Sequence, residues 1–181
     1  MDAAVIYWSK TGNTEKAARA IRDGLAAEGA TVHLVTVEEA EAIDFFAYDL
    51  VCVGFPAYSW SPPPPVLTWL KGKHRDYVRE GRIKVSCPEV AGKQALVFVT
   101  YSGPHTGINE AIPAGKVAGK FFEHLGIRVL DEWYIVGEFH GNEEASTRGR
   151  LGDIRGRPTA EELQQLSERA RALARRLHAG A

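Results

Sequence analysis

The strand-like segment Ala3-Ala4-Val5-Ile6-Tyr7-Trp8 runs directly into Ser9-Lys10-Thr11-Gly12-Asn13-Thr14, and a helical pattern opens where that loop ends. From Thr14 to about Ala27, the residues Ala17, Ile21 and Leu25 recur every four positions, the spacing of one apolar helix face. A loop so placed meets the free N–H groups and the positive dipole end of a helix, so it can bind an anion without Lys or Arg. Ser and Thr hydroxyls add neutral donors, and Gly12 lets the backbone fold tightly round the anion. The string Ser-x-Thr-Gly-x-Thr has neither the G-x-x-x-x-G-K of a P-loop nor the G-x-G-x-x-G of a dinucleotide fold. An ordinary Ser/Thr cap is the plainer reading; three hydroxyls, a glycine and an asparagine in this setting favour a phosphate.

Apolar strands alternate with helical segments along the whole chain, which predicts an α/β fold with a parallel sheet. The expected strands are Ala3–Trp8, Thr31–Thr36, Leu50–Gly54, Gln94–Thr100 and Arg128–Val136. The third and fourth are almost uninterrupted apolar runs, as suits strands covered on both faces. Helices are expected over 14–27, 38–46, 65–76, 109–125 and 159–178. The last opens with a Thr159-x-x-Glu162 capping box and carries an apolar stripe through Leu163, Leu166, Ala170, Leu173 and Leu177. In such a sheet the ligand lies beyond the carboxyl ends of the strands, at the switch in strand order. Three loops should therefore build the site: Ser9–Thr14, Phe55–Pro62 and Tyr101–Gly107.

The first loop, at the end of the first strand, resembles the phosphate-binding loop of flavodoxins. That resemblance implies a three-layer flavodoxin-like sandwich on a five-stranded parallel sheet, with FMN as cofactor. Ser9, Lys10, Thr11, Gly12, Asn13 and Thr14 would then hold the phosphate. In the second loop, Pro56, Ala57, Tyr58, Ser59 and Trp60 would lie along the flavin, with Tyr58 and Trp60 packing on the ring. The family's Trp usually follows its Tyr immediately, whereas Ser59 intervenes here, and Trp60 could instead pack on the Pro62–Pro65 tract. In the third loop, Tyr101, Ser102, Gly103 and His105 would border the flavin, Gly103 allowing close backbone approach. Flavodoxins typically place acids and a stacking Tyr there, and neither pattern stands in this loop. His105 could cover the outer flavin face or line a substrate pocket.

At 181 residues the chain suits a single domain, residues 1–181, with long loops at 71–93 and 137–158. The first is dominated by Lys and Arg. The second is rich in Gly and Arg, and Arg148, Arg150, Arg155 and Arg157 are spaced to meet anions. Those anions would be a second subunit's acids, in a homodimer, or a pyridine-nucleotide phosphate. Formal net charge is −1, unlike the strongly acidic electron-carrying flavodoxins and unlike a nucleic-acid binder. No apolar run spans a membrane, and strand-like sequence from residue 3 leaves no room for a secretory signal. Cys52 in a strand and Cys87 in a polar loop fit a reducing, cytoplasmic setting without a disulfide. The scattered histidines form no metal-ligand spacing, so no metal is expected; His140, at the start of the second long loop, is the one to watch.

Ser102 and His105 lack a nucleophile elbow. Gly115–Lys120 falls one residue short of a P-loop and lies within a helix pattern, and the acids of a phospho-accepting receiver are missing. Three readings follow: an FMN-binding electron-transfer protein serving redox partner proteins, an NAD(P)H-dependent FMN oxidoreductase acting on a quinone or small acceptor, and a flavin-free module with the same fold. The first is preferred, and whether the chain is an enzyme stays open. With no acid in the third loop and a basic link beside it, the last one-electron potential should be less negative than in an acidic flavodoxin.

Overall fold

A computed structural model describes residues 1–179. Five parallel strands, β1 Asp2–Tyr7, β2 Thr31–Thr36, β3 Leu50–Pro56, β4 Gln94–Tyr101 and β5 Arg128–Val136, form one sheet in the order β2-β1-β3-β4-β5. β1 lies one strand in from an edge, β2 forms that edge, and the chain then returns past β1 to build the rest of the sheet. The gap between the carboxyl ends of β1 and β3 is the switch point at which such sheets open a crevice. The expected strands are all present, with ends shifted by at most two residues.

Helices cover both faces. α1 Asn13–Ala27 and α5 Ala160–Ala179 lie on one side, α2 Pro64–Arg79 and α3 Ile112–His124 on the other, and a short α4 Glu143–Thr147 follows β5. Side-chain alternation along β1 explains the two layers: Ala3, Val5 and Tyr7 pack under α1 and α5, while Ala4 and Ile6 face the other core. Gly24 lets α1 and α5 approach closely, since a Cβ there would stand 2.2 Å from the Ser167 carbonyl oxygen. The Thr159–Glu162 capping box forms as expected: Glu162 N–H donates to Thr159 Oγ1 at 3.2 Å, and Thr159 N–H to Glu162 Oε2 at 2.8 Å.

Three expectations are corrected. Residues 38–46 form no helix; two 3₁₀ turns, Ala40–Ala42 and Phe45–Ala47, replace it. Phe45 is fully buried among Trp69, Tyr77, Phe121 and Phe122, and its N–H donates to the Tyr77 hydroxyl at 2.8 Å. Lys73 Nζ donates to the carbonyls of Glu41 and Ile43. Tertiary partners thus take backbone groups that a helix would have paired internally.

The expected helix 65–76 is present as α2 but runs on to Arg79, so the expected loop 71–93 starts only after it, because Leu70, Lys73 and Tyr77 all face the core, Lys73 at 8 % exposure. The expected helix 109–125 opens instead as a 3₁₀ turn, Gly107–Glu110, before α3. The segment 137–158 is long as expected but holds α4 and packs against the third loop. Cys52 is buried and Cys87 half-buried, and both are free thiols. No helix among the described residues is long and apolar enough to cross a membrane.

Candidate functional site

The carboxyl ends of β1, β3 and β4 open into a cavity of about 530 Å³. Every residue expected from the three loops lines it except Gly12. Gly12 instead caps α1 at φ +93° with open space around its Cα, so the backbone turn itself is what requires glycine. Its N–H donates to Ser9 Oγ at 3.1 Å, which leaves the Ser9 proton free to point outward. The N–H groups of Thr11, Asn13 and Thr14 find no acceptor among the described residues. They converge at the positive end of a 15-residue helix. Lys10 and Thr11 are exposed, whereas Asn13 and Thr14 are buried. Thr14 Oγ1 lies 2.7 Å from Thr100 Oγ1, a contact that the loop sequence alone does not suggest.

The second loop closes as a two-residue turn. Tyr58 and Ser61 exchange hydrogen bonds at 2.9 and 3.0 Å, and Ser59 and Trp60 both take left-handed backbone, at φ +47° and +62°. Two consecutive left-handed positions define a type I′ turn, which usually holds Gly, Asn or Asp. Trp60 is 63 % exposed, so packing on the proline tract does not bury it. Tyr58 is steadied from behind by Trp8, whose ring meets it edge-on at 6.0 Å. Burial raises the Tyr58 phenol, and likewise that of Tyr101 although Arg157 pulls the latter down; both stay neutral donors near neutral pH.

In the third loop Gly103 sits at φ +51°, and a Cβ there would come within 2.5 Å of the Gly107 carbonyl oxygen. Only glycine fits. His105 lines the cavity and is exposed. The expected acid-free surroundings are corrected: Glu110 and Glu138 both line the cavity. Glu110 Oε1 accepts the N–H groups of His105 at 2.8 Å and Thr106 at 2.6 Å, so the 3₁₀ turn folds an acid back onto a loop whose sequence has none.

A fourth wall comes from beyond β5, through Gly137, Glu138, Phe139 and His140. Ser102 Oγ donates to the Gly137 carbonyl at 2.8 Å, and Asn13 Nδ2 to the Glu138 carbonyl at 3.1 Å. A Cβ on Gly137 would stand 2.8 Å from Asn13 Nδ2, so glycine is what admits the asparagine. In the sequence, only His140 points to this wall. Of the four arginines, Arg155 pairs with Asp153 at 2.6 Å and Arg157 with Glu162, while Arg148 and Arg150 are exposed.

The cofactor that the sequence resemblance implies, FMN, carries a dianionic phosphate, a polyhydroxyl chain and a flat ring. Neutral hydroxyls and free N–H groups at the α1 N-terminus suit the first. Asn13 Oδ1, buried without a hydrogen-bond partner among the described residues on a residue only 7 % exposed, is an acceptor that suits a hydroxyl of the chain. The exposed aromatics of the second loop suit the ring. The residues present fit the group.

Residues 5–168 match the family model for Flavodoxin. A flavodoxin from Megasphaera elsdenii is 40 % identical over 97 residues, which cover 54 % of this chain and 63 % of that relative. Among solved structures, oxidised Flavodoxin 1 from Bacillus cereus superposes with a TM-score of 0.63 at 14 % identity, covering 94 % of this chain and 95 % of that one. A flavodiiron core from Synechocystis superposes with a TM-score of 0.66 at 20 % identity, covering all of this chain and 37 % of that one. At these identities the superpositions speak to the fold alone.

Proposed function

The chain belongs to the flavodoxin family, whose cofactor is FMN, and we propose that it holds FMN at the ends of β1, β3 and β4 and carries electrons between redox partner proteins. Bound FMN supplies one- and two-electron transfer, and the protein controls affinity, potential and access. Ser9, Thr11, Thr14 and the free N–H groups of α1 hold the phosphate. Tyr58 and Trp60 pack on the ring, and the backbone of Tyr101–Gly103 borders it. Trp60 stands at the cavity rim, where a partner protein would meet the flavin. A carrier of this kind works as one domain in a reducing compartment. The observation that carries the reading is the convergence, in one cavity, of unpaired neutral donors at a helix N-terminus with exposed aromatics from the neighbouring strand end.

The test is the absorption spectrum of the purified protein, with the released cofactor identified, followed by anaerobic reduction. Bound FMN that bleaches with dithionite or a reductase, but not directly with NADPH, is the expected result. A colourless protein that ignores added FMN overturns the reading. Rapid bleaching by NADPH alone would make the protein a reductase.

A further inference from the structure

Phe139 lines the cavity at 42 % exposure, yet its backbone is fixed from both sides. Its N–H donates to Ser146 Oγ at 3.0 Å, and its carbonyl accepts from the same Oγ at 3.0 Å. Ser146 is itself buried, and its carbonyl accepts the Ile154 N–H at 2.8 Å. The preceding residue is tied to the phosphate-side loop by Asn13, and the segment is tied to the third loop by Arg150 N–H on the Pro104 carbonyl at 2.8 Å. One exposed aromatic on a free surface needs no explanation. An aromatic ring whose backbone is clamped at a cavity wall, with nothing apolar covering almost half of it, is preorganised for a flat ligand.

We propose that Phe139 contacts the flavin ring, adding a wall to that of the second loop, and that Ser146 is the residue that positions it. This rests on the reading of the cavity as an FMN site. Aromatic contact with the ring is independent of the grip on the phosphate, so ring and phosphate affinities should separate.

The full chain, freed of flavin, is titrated with FMN and with riboflavin, and with inorganic phosphate as competitor. Phe139→Ala should weaken FMN and riboflavin binding alike, by about tenfold, and leave competition by phosphate unchanged. Phe139→Trp, which keeps an aromatic face, should retain affinity within about threefold. Ser146→Ala should weaken riboflavin binding by less than Phe139→Ala does. The double variant should bind riboflavin no more weakly than Phe139→Ala alone, because Ser146 acts through Phe139. Riboflavin bound as tightly by Phe139→Ala as by the unaltered chain overturns the proposal, and additive losses overturn the role of Ser146. An unaltered chain that binds no flavin removes the underlying cavity reading as well, which distinguishes the two failures.

Discussion

The hydroxyls of Thr14 and Thr100 lie 2.7 Å apart, joining the first turn of α1 to the end of β4 at the wall of the cavity. Both side chains are almost wholly buried, so each hydroxyl depends on the other for its hydrogen bond. A Thr14 hydroxyl that accepts from Thr100 keeps its own proton for an anion, so the pair couples sheet, helix and phosphate grip.

That pairing separates two substitutions. Thr100→Val keeps the shape but strands the Thr14 hydroxyl, at a cost of about 1–3 kcal/mol or a Tm lower by roughly 2–10 °C. Thr11 is exposed and bonds to nothing else among the described residues, so Thr11→Ala should leave Tm unchanged. It should still weaken FMN binding by roughly ten- to a hundredfold, the worth of one hydrogen bond to a charged group. Calorimetry and fluorescence titration read the two effects. FMN affinity untouched by Thr11→Ala would mean that this loop does not hold the phosphate.

The turn at Ser59 and Trp60 stores backbone strain. A non-glycine residue in left-handed conformation costs roughly 1–2 kcal/mol, against roughly 0.5–1 kcal/mol for the extra chain entropy of glycine. Ser59→Gly should therefore stabilise the flavin-free protein by about 0.5–1 kcal/mol, seen as a Tm higher by roughly 1–4 °C. A lower Tm would show that the serine side chain contributes more than its backbone strain costs.

Glu162 links acid stability to the start of α5. Burial alone would raise its carboxyl, but hydrogen bonds from the Arg157 guanidinium and the Thr159 N–H outweigh that and hold it below the ordinary value. A carboxyl depressed in the folded state stabilises fully above its unfolded value, roughly pH 4.3, and loses that contribution as pH falls through the folded value. Glu162→Gln should lower stability at pH 7 through the weakened cap, by about 1 kcal/mol. It should also flatten the fall in Tm between about pH 5 and 3. Parallel Tm profiles for the two proteins across that window would refute the assignment.

What could be read from the sequence was what local chemistry dictates. Continuous apolar runs announce strands buried on both faces, and hydroxyls with Gly12 at a strand–helix junction announce the anion site. The misread elements are those where tertiary contacts overrule local pattern. Lys73 looks like a solvent residue and falls in the expected basic link 71–93 as well as in the expected helix 65–76; its ammonium is instead held by carbonyls of the 3₁₀ region. Residues 38–46 read as helical, but Phe45 is an anchor in the core of one face and its tertiary contacts replace the helix by 3₁₀ turns. Phe139 is remote in sequence from the three loops it joins, and no periodicity records its place on the wall. That place depends on Gly137, Asn13 and Ser146 together.

The potential is where the folded structure most changes the expectation. No acid lies within Tyr101–Gly107, but Glu110 is brought back to the cavity wall by its bonds to His105 and Thr106, and Glu138 joins it from beyond β5. A fixed negative charge near the ring penalises the further negative charge that reduction adds. Both carboxylates also accept backbone N–H groups, Glu110 those of His105 and Thr106 and Glu138 that of Gly156 at 2.9 Å, which partly offset their fields. Glu110→Gln should therefore move the last one-electron potential of bound FMN to less negative values, on the order of tens of millivolts at low salt. Glu138→Gln should move it the same way. Potentiometric titration at two ionic strengths reads both shifts, which should shrink as salt screens the charges. A potential that Glu110→Gln leaves unchanged at low salt would show that this carboxylate does not act on the flavin.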